Sequence, residues 1–333
     1  MMLGMRNMGS IFRLRRNKGE GAVIPVNKNI LNEYRLRVNE KNLNVYGIVI
    51  KQDGKQLEHR FRSDDKVNVY SASKPVTALA IGMLIDESRL TLADNLGQLF
   101  PEYAKWMAEG TEGITVRNLL HMASGKLEFF DDFRSKNQDN IKVFMQHPLE
   151  ADPGEKFFYS NGCTYMLSRI VEKISGETLR DFLIPRFFDV LGIENPQWFS
   201  CHHGHTMGAT GLFLTTEELS RIGEVFLQEG TYNETRIVSA EFIKKCYTDT
   251  ILTGDDKTLG NWSHYGFQVW LGEVSGTYRL DGKYSQHAII FPEEKATVTI
   301  TAHEEFKGHE IVSGVYEEIL PYLKDKSCYC DNQ

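Results

Sequence analysis

The sequence predicts an α+β fold in which helices flank one antiparallel sheet and a block of helices is inserted between its strands. Apolar, β-branched segments occur near both ends of the chain, whereas the middle part has mainly helical periodicity. The chain has 333 residues, which is enough for one large domain or two closely packed ones. We therefore expect a sheet built from both ends of the chain.

The N-terminal part begins with a basic leader and continues into a hairpin. The leader, residues 1–25, has no apolar run as long as a secretory signal needs, and it is expected to be flexible. Residues 43–50 are apolar and β-branched, which is typical of a strand. The turn sequence Gln-Asp-Gly-Lys at 52–55 then predicts a hairpin whose second strand covers 57–62.

A long helix is predicted from Ser71 onwards. Apolar residues recur there at helical spacing, and Pro75 falls in the first turn, where its missing N–H costs little. Ser71 therefore lies at a helix N-terminus, where free N–H groups and the helix dipole favour negative charge. The apolar positions of this helix are Val76, Leu79, Ala80, Met83 and Leu84.

The C-terminal part predicts four successive antiparallel strands and a final helix. The strands are expected at 265–271, 276–280, 287–291 and 296–302, with glycine or proline in the turns between them. The helix is expected over 308–323, where apolar residues again recur at helical spacing.

These elements suggest a division of the chain into two domains and a tail. We expect 26–88 and 205–325 to form the sheet domain, 89–204 to form the helical domain, and 326–333 to be a tail. The helix that begins at Ser71 would then lie where the two domains meet, which is a common position for an active-site cleft.

Composition narrows the classes of function. The formal net charge of −7 argues against a nucleic-acid-binding surface. No apolar stretch is long enough for a transmembrane helix, and the five scattered cysteines give no disulfide framework. We therefore expect a cytoplasmic globular protein with no nucleic-acid partner and no stable membrane span.

Ser71 and Lys74 form a Ser-x-x-Lys pair. Residues three positions apart share one face of a helix, so the hydroxyl and the amine lie close together. Serine is a weak nucleophile until a base takes its proton, and a desolvated lysine near other cations can act as that base. The pair predicts a serine hydrolase that works through an acyl-enzyme, although so short a pattern also occurs by chance.

Other segments, in order and spacing, resemble the motifs of one family. This family is the serine β-lactamase-like hydrolases, which include class C β-lactamases, DD-peptidases and related esterases and amidases. The matching segments are Ser-Ala-Ser-Lys at 71–74, Pro-Gly-Glu-Lys-Phe-Phe-Tyr-Ser-Asn at 153–161, and the longer stretches 114–125 and 211–219. With these segments around it, the Ser-x-x-Lys pattern is no longer a chance match.

The resemblance implies an α/β sandwich with an all-helical domain, a catalytic site between them, and no metal or organic cofactor. It implies Ser71 as the nucleophile and Asn161 as a group that orients the substrate or Lys74. Lys74 would either accept the serine proton or hold a partner base in its anionic form. That partner is Tyr159, whose ordinary pKa of about 10 must be depressed by nearby cations before it can act as a base.

The third family motif is altered in this chain. Penicillin-recognising members carry Lys-Thr-Gly or His-x-Gly on the strand beside the site, whereas this chain has Leu280, Asp281 and Gly282 there. The segment looks more like the Gly-x-x-Gly-Gln sequence of amidase and esterase members, with Ser285 in place of the second glycine.

The altered motif has two consequences for the expected site. The backbone N–H of Lys283 would join that of Ser71 in the oxyanion hole, because this role needs only main chain. Asp281 at the edge of the site is expected to repel the carboxylate of a β-lactam or of peptidoglycan. For the side chains of Asp281 and Lys283, two interpretations stay open: contact with substrate, or an ordinary exposed hairpin turn.

Two further patterns carry less weight. The sequence His202-His-Gly-His205 lacks both the helical spacing and the distant third ligand of a catalytic zinc site, so we expect a surface loop or a loop at the cleft mouth. Cys163 follows the Tyr159 motif closely, but we discount it as a nucleophile. Trp270 is expected to pack in the core or to line the substrate pocket.

We therefore expect a serine hydrolase that cleaves an ester or amide bond of a small molecule through Ser71. The alternative enzyme is a β-lactamase or DD-peptidase with a lactam or peptide substrate. The missing Lys-Thr-Gly motif and the missing export signal count against this alternative. A further alternative is a catalytically silent binding or sensor protein of the same fold. The oligomeric state stays open.

Overall fold

The computed structural model describes residues 30–127, 138–254 and 263–325 of the chain. In these ranges the strands, in chain order, are β1 (Val45–Gln52), β2 (Lys55–Arg60), β3 (Val67–Asn68), β4 (Gln197–Trp198), β5 (Leu212–Leu214), β6 (Thr231–Tyr232), β7 (Thr235–Arg236), β8 (Ile251–Leu252), β9 (His264–Tyr265), β10 (Trp270–Leu271), β11 (Tyr278–Gly282), β12 (Gln286–Phe291) and β13 (Ala296–Ala302).

The helices of the same ranges are mostly short. They are α1 (Leu31–Glu40), α2 (Lys74–Asp86), α3 (Leu96–Leu99), α4 (Val116–Leu120), α5 (Asn140–Gln146), α6 (Asn161–Ser175), α7 (Leu179–Leu183), α8 (Thr216–Leu227), α9 (Ala240–Thr248), α10 (Gly308–Gly314) and α11 (Leu320–Lys324). A π-helical turn, Val315–Ile319, joins α10 to α11.

The main sheet is built from both ends of the chain, as the sequence predicts. Among the described residues it has eight strands in the order β2–β1–β13–β12–β11–β10–β9–β8, and neighbouring strands are antiparallel. The N-terminal strand β1 pairs with β13 through a long register that matches Ile48 with Ile300. Because both strands are rich in buried β-branched residues, this pairing forms the centre of the fold.

The predicted hairpin between β1 and β2 is present. Asp53 and Gly54 form its turn with φ angles of +47° and +74°. A two-residue hairpin turn with positive φ at both positions favours Asp or Asn followed by Gly, which explains the sequence at this point.

The sheet is covered on both faces. Side chains alternate along β12, so that Ile289 belongs to one apolar core and Ile290 to the other. The helices α1, α10 and α11 cover the face of Ile289. On the other face α8 lies close to the strands, and its Thr216 hydroxyl bonds to Thr301 of β13 at 2.7 Å.

Helix α2 lies in the middle of the larger core. Eleven of its residues, from Lys74 to Leu84, are buried. A helix that is apolar on all sides is found where it is surrounded by other elements. Space around α2 is tight, because a Cβ on Gly82 would lie 2.5 Å from the Phe242 ring.

Two of the sequence-based element boundaries need correction. The segment 265–271 is not one strand but two short ones, β9 and β10. Gln268 between them has a φ of +63°, and a Cβ on Gly266 would lie 1.8 Å from the Cys246 carbonyl oxygen, so the chain bends there. The α-helix predicted from Ser71 begins at Lys74, and Ser71 lies in the 3₁₀ turn Tyr70–Ser73 that precedes it.

The expected leader at 1–25 and the tail at 326–333 lie outside the described residues. In the part of the chain that is described, no helix is both long and apolar enough to span a bilayer. The proposed boundaries between a sheet domain and a helical domain stay a prediction.

Candidate active site

Ser71 lies on a strained turn at the junction of the sheet and the helices. Tyr70 has a φ of +48°, an uncommon conformation for a bulky residue. The Asn68 side-chain oxygen fixes this turn, because it accepts the Tyr70 N–H at 2.8 Å and the Gly211 N–H at 3.2 Å. Ser71 itself stays partly exposed.

Lys74 is buried, with 1% of its surface exposed, and its amine has three oxygen partners. It donates to Ser71 Oγ at 2.9 Å, to Asn161 Oδ1 at 2.8 Å and to the carbonyl of Ala209 at 2.9 Å. An ammonium has three protons, so the charged form satisfies all three acceptors. The spacing of Ser71 and Lys74 predicts the first contact only, since the other two come from distant parts of the chain.

Asn161 is the first residue of α6, and the packing of α6 against α2 brings it to Lys74. Its amide oxygen accepts a proton from the Lys74 amine at 2.8 Å. The structure thus brings Ser71, Lys74 and Asn161 into one hydrogen-bonded group.

Tyr159 stands on the loop just before α6, with the centre of its ring 5.0 Å from Lys74 Nζ. One side of this ring stacks on Trp270, at 5.7 Å and with 22° between the planes. Phe157 and Tyr265 complete an aromatic wall around it. Trp270 is only 5% exposed, so it both packs in the core and supports the predicted proton-transfer residue.

The segment around Gly125 holds the Tyr159 loop in place. The Phe158 N–H donates to the Met122 carbonyl at 2.8 Å, and the Glu150 N–H donates to the Gly125 carbonyl at 2.7 Å. Gly125 has a φ of +81°, and a Cβ there would lie 2.1 Å from the Ala151 carbonyl oxygen. Only glycine fits this position, which gives a physical reason for the Ser-Gly in the stretch 114–125.

Gly282 allows β11 to approach the turn that carries Ser71. A Cβ on Gly282 would lie 2.2 Å from the Val69 carbonyl oxygen and 3.1 Å from the Ala72 nitrogen. The main chain of Lys283, which follows, therefore lies beside the Ser71 turn. This is where the sequence analysis expects the second oxyanion donor.

Asp281 does not behave as expected. Arg279 Nε donates to its carboxylate at 2.8 Å, and His287 Nδ1 lies 3.4 Å from the same oxygen. Burial alone would raise the pKa of Asp281, but His287 and Arg279 outweigh it and hold the pKa below its ordinary value. The carboxylate is therefore neutralised within the sheet, so the argument that it repels a substrate carboxylate was wrong. Its side chain is 13% exposed and not in an open hairpin turn.

The side chain of Lys283, in contrast, is exposed in a hairpin turn. It is the first residue of the turn between β11 and β12, and its Nζ lies 4.8 Å from the centre of the Tyr284 ring. Tyr284 and Ser285 have φ angles of +64° and +67°. Ser285 thus adopts the left-handed conformation that favours glycine, the residue of the family motif at this position.

The remaining sequence candidates have structural contacts. His205 Nδ1 lies 2.9 Å from the Glu172 carboxylate, and in the three described ranges no group of His, Cys, Asp or Glu could hold a metal ion. Cys163 is buried and donates to Ser124 Oγ at 3.4 Å. His121, within the family-like stretch 114–125, is buried with Nε2 2.8 Å from the Asp249 carbonyl oxygen.

Two nearby groups could not be found from the sequence. The first is the Ala209 carbonyl, because a backbone acceptor has no sequence signal. The second is Lys126, which is fully buried and donates to Thr111 Oγ1 at 2.7 Å and to the His147 carbonyl. Burial lowers the pKa of Lys126 to about 8.

Comparisons with known proteins identify the family of this chain and its fold. The sequence matches a family model described as Beta-lactamase over residues 38–313. A lovastatin esterase of Penicillium rubens is 29% identical over 41% of this chain and 40% of its own length. A penicillin-binding protein of Bacillus subtilis is 30% identical over 39% of this chain and 30% of its own length. Each match thus spans less than half of the curated relative.

The fold also has close counterparts among solved structures. EstCE1, described as a hydrolase with promiscuous acyltransferase activity, superimposes with a TM-score of 0.70. The match covers 90% of this chain and 97% of EstCE1. At 16% sequence identity, this likeness concerns the fold alone.

Proposed function

The chain belongs to the beta-lactamase family, and from this premise we propose that it is a serine hydrolase that cleaves an ester or amide through an acyl-enzyme on Ser71. The observation that carries the proposal is the contact of 2.9 Å between the buried Lys74 Nζ and the Oγ of the partly exposed Ser71. Two relatives with esterase and penicillin-binding names support hydrolytic acyl transfer.

In this mechanism Ser71 Oγ forms a bond to the substrate carbonyl carbon, and the carbonyl electron pair moves to oxygen. The backbone N–H groups of Ser71 and Lys283 stabilise the resulting oxyanion. The serine proton passes to a base and then to the departing alcohol or amine when the carbon–oxygen or carbon–nitrogen bond breaks. Water repeats the sequence on the acyl-enzyme and releases the acid.

Either Lys74 or Tyr159 takes the proton. As an ammonium, Lys74 donates to Ser71, Asn161 and Ala209 and has no lone pair, so it acts as a base only when neutral. When Lys74 is charged, its ammonium is a cation 5.0 Å from the centre of the Tyr159 ring. Tyr159 is then the base, and Lys74 is the cation that stabilises it.

The alternative is penicillin recognition, as in β-lactamases and DD-peptidases. The position expected for the family's cationic side chain is occupied by Leu280, which is fully buried in the apolar core. Leu280 puts no cation at the position where penicillin-recognising members carry one, so we favour an ester or amide without a lactam ring. A silent binding protein is disfavoured because Ser71, Lys74 and Asn161 keep a connected hydrogen-bond network.

Intact-protein mass spectrometry after exposure to a fluorophosphonate, and separately to a penicillin, tests these possibilities. An adduct with the fluorophosphonate only is the expected result. Adducts with both reagents would favour penicillin recognition, and no adduct would favour a silent protein. The variant Ser71→Ala is the control and must lose every adduct, because labelling that survives would place the nucleophile elsewhere.

A further inference from the structure

The turn after β11 forms one wall beside the serine. The Tyr284 ring of this turn meets the Tyr70 ring edge to face, with the ring centres 5.2 Å apart. Tyr70 directly precedes Ser71 in the 3₁₀ turn, so this ring pair joins the turn that carries the nucleophile to the turn after β11. We call Tyr70, Lys283 and Tyr284 the hairpin shelf.

The aromatic part of the hairpin shelf is held firmly. Tyr284 stacks on His303, with ring centres 4.3 Å apart and 19° between the planes. The Tyr70 backbone is bound to Asn68, as described above. Both rings remain partly exposed. A rigid, partly exposed aromatic surface can bury a flat apolar group at little entropic cost.

Lys283 adds a positive charge to the hairpin shelf. Burial raises the pKa of Tyr70, and the nearby charge of Lys283 opposes this rise, which agrees with its position close to both rings. In the described ranges no carboxylate forms an ion pair with Lys283.

Two acidic residues next to this turn are both occupied: Asp281, two positions before Lys283, and Glu304, whose backbone N–H donates to the Tyr284 carbonyl at 3.2 Å. Asp281 is bound to Arg279, and the Glu304 carboxylate accepts the backbone N–H groups of Asn44, Phe306 and Lys307. An exposed cation at the rim of a site, with neighbouring acids already bound, attracts a negative group of the substrate.

We propose that the hairpin shelf selects anionic substrates, namely esters or amides whose negative group is carried on a flat apolar body that lies against Tyr70 and Tyr284. This proposal rests on the proposed hydrolase function, because it concerns the same site. It assigns to Lys283 a role in specificity in addition to the role of its backbone N–H.

The test uses two aryl esters that differ only in a carboxylate on the aromatic ring. For each ester, kcat/KM and the acylation of Ser71 are measured on the full-length protein and on Lys283→Glu. Reversal of the charge should lower kcat/KM for the anionic ester about tenfold at low ionic strength, with a smaller effect at high salt. The ratio of kcat/KM for the anionic ester to kcat/KM for the neutral ester should therefore fall, because only the anionic ester makes a charge–charge contact with the Lys283 side chain.

Lys295→Glu is the matched control. This exposed lysine lies in the turn at the opposite end of β12, a six-residue strand and therefore roughly 20 Å away. The control makes the same change in net charge and should leave the ratio of the two esters unaltered.

Each of the following outcomes would overturn the proposal. An equal loss with both esters would show that Lys283 acts only through the backbone, and no change with either would remove it from the site. If the wild type hydrolyses neither ester and Ser71 takes up no acyl group, the hydrolase proposal fails as well. If Ser71 is acylated efficiently but Lys283→Glu leaves the ratio of kcat/KM for the two esters unaltered, the role of the hairpin shelf is rejected and the hydrolase proposal stands.

Discussion

At the scale of single residues, the reactive pair depends on groups that lie far away in the chain. Ser71 and Lys74 are neighbours in sequence, but Asn161 and the Ala209 carbonyl complete the cage of the amine. Each of these neutral oxygens stabilises an ammonium less strongly than a carboxylate would. The amine can therefore lose its proton more easily than it could beside a carboxylate.

The variant Tyr159→Phe removes the hydroxyl and keeps the aromatic ring, so it tests the hydroxyl alone. The variant keeps the stacking on Trp270, so it should fold normally. It should lose about 10²- to 10⁴-fold in kcat, the usual contribution of a general acid–base group. Steady-state kinetics with an activated ester would measure this loss. Activity within a few-fold of wild type would exclude Tyr159 as the proton-transfer residue.

Lys126→Met tests the effect of a buried amine on stability. The folded protein releases the Lys126 proton near pH 8, because burial lowers this pKa to about 8 from an ordinary 10.5. The unfolded chain keeps that proton up to about pH 10.4. Between these values the unfolded state binds more protons, so this group makes the wild type more stable as pH rises.

The size of the effect follows from the shift in pKa. A shift of about 2.5 units corresponds to roughly 3 kcal/mol across the window. The free energy of unfolding, measured in urea from pH 7 to 10, should therefore rise with pH more steeply in the wild type than in Lys126→Met. Parallel pH profiles of the two proteins would contradict the assignment.

At the scale of elements, the site exists because β11 can touch the 3₁₀ turn that carries Ser71. This contact requires glycine at position 282, since a Cβ would collide with the Val69 carbonyl oxygen. A similar constraint at Gly125 fixes the loop before α6. Glycines thus set the distances between the elements that supply the catalytic groups.

Gly282→Ala should separate β11 from the Ser71 turn. The strand must shift to relieve the contact of 2.2 Å, which would displace the Lys283 N–H from the oxyanion position. We expect a loss of about 10²-fold or more in kcat, the size seen when one oxyanion donor is removed. Gly113→Ala is the control, because a Cβ there meets nothing within 4 Å. Equal activity of the two variants would contradict this account of β11.

At the scale of the whole molecule, the two ends of the chain are joined. β1 and β13 pair in the sheet, and Arg37 of α1 binds Glu310 at 2.9 Å and Glu318 at 2.5 Å, and also Glu317. These carboxylates lie on the C-terminal helical segment, so one arginine connects the first helix to the last ones.

Arg37→Met should therefore destabilise the whole fold. It leaves three carboxylates close together without their shared cation, at a cost of about 2 kcal/mol. Urea unfolding would measure the loss, with Arg35→Met on the same helix as the control. Equal stability of the two variants would show that the network is only a surface feature.

The sequence predicts the fold class and the Ser-x-x-Lys motif at 71–74, because both depend on short-range patterns. Periodicity is enough for β1, β13 and the Asp53–Gly54 turn, and spacing is enough for Ser71 and Lys74. The bend at Gln268 and the pairing of Asp281 with Arg279 and His287 depend on contacts between separate strands. Such contacts have no signature in a single sequence, and this is why the expected repulsion by Asp281 was wrong.

The central claim is that Ser71 carries an acyl group during turnover. The most direct measurement is rapid acid quench during hydrolysis of an activated ester, followed by peptide mass spectrometry. We predict a mass increase equal to the acyl group on the peptide that contains Ser71, and its absence in Ser71→Ala together with the loss of turnover. Hydrolysis that continues in Ser71→Ala, or an acyl group found on another residue, would contradict the claim.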